Sequence, residues 1–160
     1  VAVEERYAVR GLVLTPQREV LLIRLNPPAP IPRFWVAPGG GMEPGETPDQ
    51  TLKRELIEEL GLAGVEIGPV VWRRHHTFDW GPRRISQREE YRIVPAERFD
   101  PVMSDLVEAQ GLDCFRWWRV EDLAHATERL TPFALPQILA RYLAEGAPDP
   151  VPDEEILVDW

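Results

Sequence analysis

The sequence predicts an α/β fold in which helices sandwich a mixed β-sheet. Three observations carry this reading. Apolar runs of strand length arrive in pairs with helical segments between them, a glycine run leads directly into a well-capped helix, and 160 residues suit one ordinary domain rather than two. Paired strands argue against a regular parallel βαβ series.

Residues 6–14 read as a strand, and TPQRE turns the chain into a second apolar run at residues 20–24, so the pair forms a hairpin. Residues 25–32 are a proline-rich loop. Phe34, Trp35 and Val36 then make a short strand that runs into Pro38 and three glycines. The helix that follows has marked ends: Thr47 is the N-cap, Pro48 suits the first helical position, Gln50 completes a capping box, and Gly61 stops it. Leu52, Leu56 and Leu60 give this helix an apolar stripe for packing on a sheet. Residues 65–80 and 84–94 are expected as longer strands joined at Gly81 and Pro82, and residues 95–111 as a long loop with one helical turn at 105–109. Residues 114–119 read as a strand, 120–126 as a short helix and 132–144 as a longer one. The folded domain is expected to span residues 1–146, with residues 147–160 an acidic, proline-containing tail.

Composition narrows the function. Hydrophobic residues at 44% and charged residues at 28% make a soluble globular balance, and the 17 prolines fall mainly in the expected loops. A net charge of −9 argues against a nucleic-acid polymer as partner, since that affinity comes from clustered Lys and Arg. A small phosphorylated ligand would instead need metal ions or a local basic patch. The single Cys114 excludes an internal disulfide, no apolar run approaches the ~20 residues of a membrane span, and no signal-peptide core is seen at residues 1–10, so the expected setting is cytoplasmic.

The chemistry concentrates on the capped helix. At spacings of three and four residues, Glu55, Glu58 and Glu59 share one side of it. Like charges there repel, and the macrodipole disfavours Glu58 and Glu59 in the last turn by about 0.3–1 kcal/mol each. Hard divalent cations such as Mg²⁺ favour such oxygen clusters and would reverse both penalties. A solvated acidic face with Arg54 paired to Glu58 is the plainer reading, but the glycine run and the fixed spacing to Glu46 weigh against it.

Residues 40–62, GGMEPGETPDQTLKRELIEELGL, resemble the signature of the Nudix family, G-x5-E-x7-R-E-U-x-E-E-x-G-U with U apolar. Gly40, Glu46, Arg54, Glu55, Leu56, Glu58, Glu59, Gly61 and Leu62 all match. The resemblance implies a Nudix-type α/β/α sandwich and metal-dependent hydrolysis of a diphosphate linkage in a nucleotide, an oxidised nucleotide or a nucleotide sugar, by water attack on phosphorus. It implies Mg²⁺ as cofactor with Mn²⁺ as a substitute, Glu55 and Glu59 as metal ligands, and Glu58 as a further ligand or the group that activates water. The carbonyl of Gly39 matches a position that completes the metal shell, Arg54 one that orients a catalytic carboxylate, and Gly40 and Glu46 positions that support the loop. An extra ligand or general base is sought among Glu89, Glu90, Asp105 and Glu108. Glu89 and Glu90 face opposite ways on a strand, so only one can face a cleft.

His75 and His76 also diverge on a strand, the tryptophans read mainly as core, and Arg73, Arg74, Arg83, Arg84 and Arg88 make the middle of the chain locally basic. Two other readings share the resemblance: an isopentenyl-diphosphate-isomerase-like reaction, for which Cys114 is the only cysteine, and a non-catalytic nucleotide-binding module, against which the complete set of box glutamates argues. The proline and tyrosine that mark ADP-ribose and dinucleoside-polyphosphate types are absent at residues 77–80. The apolar character of the tail suggests docking on its own domain or on a partner, and a homodimer is expected.

Overall fold

The computed structural model describes residues 2–103 and 111–156. Its strands are β1 (Val3–Leu14), β2 (Glu19–Leu25), β3 (Phe34–Val36), β4 (Gly39–Gly41), β5 (Val70–Trp80), β6 (Arg83–Pro95), β7 (Leu112–Arg119), β8 (Arg129–Thr131) and β9 (Asp153–Ile156); the helices are α1 (Pro48–Leu60) and α2 (Leu135–Glu145), with a 3₁₀ turn at Val120–His125. The main path of the sheet runs β8-β3-β2-β1-β6-β5-β9, with β4 paired to β1 and β7 to β2. The sheet is mixed: β1–β6, β3–β8 and β5–β9 are parallel, the remaining pairs antiparallel.

Alternation along the strands sorts side chains into two cores. Val9 and Val13 of β1, Leu21 and Ile23 of β2 and Val94 of β6 pack with the Leu52, Leu56 and Leu60 stripe of α1. On the other face, Leu12, Leu22, Tyr91 and Ile93 pack with Leu135, Ile138 and Leu139 of α2 and with the 3₁₀ residues Val120 and Leu123. Helices on both faces of one curled mixed sheet give the α/β/α sandwich expected from the strand and helix pattern. Among the described residues, no helix is long and apolar enough to cross a membrane.

Several expectations need correction. The expected hairpin closes only where Leu14 meets Val20, after which β1 pairs with β6 and β4 while β2 pairs with β7 and β3. β4 takes the β2-facing edge of β1 at Ala8 to Arg10, and β3 takes Ile23 to Leu25 of β2, so the hairpin does not extend beyond its turn. The three glycines, which the sequence pattern assigns to no element, form β4, where bare backbone pairs with β1 from Ala8 to Arg10. Residues 65–69 are not strand, although Gly68 and Pro69 exchange backbone hydrogen bonds with Ile93. The second helix begins at Leu135 rather than residue 132, and short β8 was missed because three residues carry too little pattern. The tail supplies β9, parallel to β5, so residues 153–156 dock on the chain's own sheet.

Candidate active site

The box is set by how α1 is fastened. The Thr47 hydroxyl accepts from the Gln50 N–H while the Gln50 side chain accepts from the Thr47 N–H, and Gly61 closes the far end in the left-handed region. With Leu52, Leu56 and Leu60 buried, the rotation of α1 is fixed, and its glutamates face β4. Gly39, at φ 144°, leaves no room for a side chain, since a Cβ would collide with the Val9 carbonyl. At Gly40 a Cβ would lie 2.5 Å from Glu55 Oε1, so the missing side chain is the space that the Glu55 carboxylate fills. Glu59 is tied to the same strand: its Oε1 accepts from the Gly39 N–H at 2.9 Å.

Arg54 is the hub. Its Nε and Nη2 donate to the two oxygens of Glu46 at 2.7 and 2.9 Å, Nη1 donates to Glu55 at 3.0 Å and to Glu58 at 3.3 Å, and Nη2 also reaches the Gly41 carbonyl. Glu46 further accepts from the Glu43 N–H and the Thr51 hydroxyl. Arg54, then that backbone bond, hold the Glu46 carboxyl down at about 2. Glu46 thus ties the residue 43 backbone to Thr51 and Arg54 of α1, and Arg54 contacts both Glu55 and Glu58.

Glu55, Glu58, Glu59 and the Gly39 carbonyl offer only oxygen donors, of the hard type that Mg²⁺ prefers, and Gly40 leaves open the space that Glu55 fills. As the described side chains stand, no three of His, Cys, Asp or Glu converge closely enough to hold an ion. Arg54 holds Glu55 and Glu58, and the Gly39 carbonyl accepts from Arg10 Nη1 at 3.2 Å. By donor chemistry the residues fit the cation.

A cleft of about 230 Å³ opens on the face of β1 opposite α1. It is lined by Arg6 and Arg10 of β1, Arg74, His76, Phe78 and Trp80 of β5, and Arg83, Ile85, Gln87 and Glu89 of β6, with Leu25, Phe34, Val36 and Thr131 closing it. Glu89 is buried at its centre. Arg10 Nε reaches it at 2.9 Å, Arg74 Nε at 3.0 Å and His76 Nε2 at 3.1 Å. Burial alone would raise its pKa, but Arg74, His76 and Arg10 outweigh that and hold the carboxyl well below its usual range. Arg10 also donates to the carbonyls of Ala37 and Gly39, so one guanidinium joins the cleft to the box. The Arg6 guanidinium stands beside Gly41; crowding by protein atoms and by Arg10 and Arg83 lowers its pKa, although the residue keeps contact with solvent.

The other sequence candidates separate. Glu89 faces the cleft, whereas Glu90 points to the α1 side, accepting from the Tyr7 hydroxyl at 2.8 Å and from Arg92. Asp105 and Glu108 lie outside the described residues. His76 joins the cleft, and His75 meets Ser86 Oγ on the other face. Cys114 packs at the edge of the α2-side core beside Asp113, and burial pushes its thiol up. Arg6, Arg10 and Gln87 were not singled out in the sequence. The signal was available, since residues 6 and 10 share parity on one strand, as do 85, 87 and 89 on another.

The NUDIX domain family model matches residues 4–141. An RNA pyrophosphohydrolase of Pseudoalteromonas translucida is 40% identical over 64 residues, which cover 40% of this chain and 37% of that protein. Its counterpart in Proteus mirabilis is 26% identical over 131 residues, 76% of this chain and 73% of that one. The chain thus spans little more than a third of the first relative. Mouse diphosphoinositol polyphosphate phosphohydrolase 3-alpha is 48% identical over 46 residues, 29% of this chain and 26% of that protein. Among solved structures, a MutT NUDIX hydrolase from Burkholderia pseudomallei superposes with a TM-score of 0.65 at 20% identity, covering 86% of this chain and 97% of its own. A C. elegans Ap4A hydrolase superposes at 0.61 and 19% identity, covering 87% and 98%. These structural likenesses speak to the fold.

Proposed function

The chain belongs to the Nudix hydrolase family, and from that premise we propose that it hydrolyses a diphosphate linkage in a small nucleotide-like substrate with the help of Mg²⁺ or Mn²⁺. The observation that carries this reading is the seating of Glu55 against Gly40 and of Glu59 on the Gly39 N–H, which puts two box carboxylates over one glycine strand.

Glu55 and Glu59, with Glu58 and the Gly39 carbonyl, would hold the cation. When bound, it neutralises diphosphate oxygens and acidifies water. Arg54 keeps Glu46 ionised and orients Glu55 and Glu58. Glu58, with its side chain 32% exposed against 7% for Glu55, is best placed to take the proton from the attacking water. The water oxygen bonds to phosphorus as the bridging P–O bond breaks, and the leaving phosphate departs with its electron pair. Glu89 is a poor base because Arg74 and Arg10 hold it ionised, and Glu90 faces away from the cleft. Arg6, with Arg10 and Arg74 whose two charges exceed that of Glu89, supplies the local positive potential that draws an anion to a chain whose net charge is −9.

The relatives named RNA pyrophosphohydrolase fit the same chemistry. The acidic balance of this chain favours small substrates over a bound polymer. An isomerase-like reaction finds no support, because Cys114 is absent from the residues lining the cleft. The catalytic unit in this reading spans residues 1–146, and the tail, residues 147–160, contributes β9.

The test is a screen of nucleoside diphosphate derivatives with Mg²⁺ and with Mn²⁺, scored by phosphate release, beside Glu59→Gln. Turnover should need the cation, and the variant should lose at least about a hundredfold, more than the roughly 10–100-fold typical of partners one shell further out. Full turnover in chelator, or an unimpaired Glu59→Gln, would overturn the assignment.

A further inference from the structure

Gln87 is 2% exposed, lines the cleft, and leaves its Oε1 without a hydrogen-bond partner among the described residues. A buried acceptor left unmade is costly, and a leucine would fill the same space without that cost. Its neighbours are already engaged: Glu89 accepts from Arg10 and Arg74, and the Thr131 hydroxyl accepts from Arg74 Nη1 at 2.7 Å. Beside this orphan acceptor stand Phe78 and Trp80 of β5, with Phe34 meeting Trp80 edge to face at 6.4 Å. Aromatic walls with one engaging acceptor suit a flat ring. The cleft volume of about 230 Å³ falls short of the roughly 300–1,000 Å³ that encloses a drug-sized ligand, so it takes a portion of the substrate rather than the whole. The guanidinium of Arg6 beside Gly41 lies toward the box, which orients the anionic portion away from the aromatic walls.

We infer that the cleft receives the nucleobase of the substrate and that the Gln87 carboxamide oxygen selects a base edge presenting an N–H donor. This rests on the diphosphate-hydrolase reading for the remainder of the substrate. Adenosine, guanosine, cytidine and uridine 5′-monophosphates, which carry no diphosphate to cleave, serve as probes by calorimetry, beside the form of the tightest binder N-methylated at its donor edge. The wild type should bind the methylated form at least about tenfold more weakly. Gln87→Leu should bind both within about twofold and melt no lower than wild type, while Gln87→Glu, which keeps an acceptor, should retain the preference. A wild-type ratio in Gln87→Leu would overturn the inference, as would ribose 5-phosphate binding as tightly as the nucleotides. Diphosphate hydrolysis measured on the same samples separates the two claims. Intact turnover without base discrimination sinks only the role of Gln87, whereas selective binding without turnover upholds that role and sinks the hydrolase reading.

Discussion

The box and the cleft are built as electrostatic opposites. Between α1 and β4 one guanidinium, Arg54, faces four carboxylates, those of Glu43, Glu46, Glu55 and Glu58. In the cleft a single carboxylate, Glu89, faces two guanidiniums, Arg10 and Arg74, with Arg6 nearby, while Arg83 is paired to Glu4. One network has anions to spare and the other cations, so a diphosphate carrying its own divalent ion complements both. They also differ in burial. The Arg54 side chain is 22% exposed, whereas that of Glu89 is 1% exposed. The cleft network should therefore bear on stability and the box network on turnover.

Glu89→Leu tests the strongest form of this contrast. It strands Arg10 and Arg74 without their carboxylate and should cost about 3–5 kcal/mol in urea unfolding, as broken buried pairs do. A loss below about 1 kcal/mol, the usual scale of exposed pairs, would place the two networks on one footing. Gly40→Ala probes the other side. Its methyl would displace only the flexible end of Glu55, so turnover should fall about 10–100-fold while the melting temperature stays near wild type. A folded variant with unchanged turnover would disconnect that cradle from catalysis. The smallest effect concerns acid. Glu46 sits at about 2 in the folded chain against an ordinary 4.5, so its contribution is complete above pH 4.5 and is lost as pH falls toward 2. In Glu46→Gln, the stability curve across that window should be flatter than in wild type, and equal slopes would contradict the hold of Arg54 on Glu46.

The two regions were unequally legible in the sequence. The box could be read because its residues are contiguous: caps, leucine stripe and acids lie on one helix, where spacing fixes direction. Even so, the spacing did not reveal that Gly39 to Gly41 would be a strand, since the pairing partner, β1, lies some thirty residues earlier. The cleft is assembled from β1, β5 and β6, and its register depends on a parallel pairing between Val3 and Arg84 onward that no local pattern encodes. Hence Glu89 and Glu90 could be recognised as diverging, but the inward one emerged only with Arg10 and Arg74 in place. The arginines of residues 73–88 were visible as a basic run, yet only Arg74 and Arg83 of them line the cleft.

The docked tail has a consequence for handling the protein. β9 occupies the outer side of β5, and its first three residues, Asp153, Glu154 and Glu155, lay a row of negative charge along what becomes the rim of the sheet. A version shortened before residue 153 would bare the donors and acceptors of β5 at positions 73–76, and a bare strand of that kind is a template onto which a second molecule can add. Trimming this acidic end for crystallisation would therefore promote aggregation.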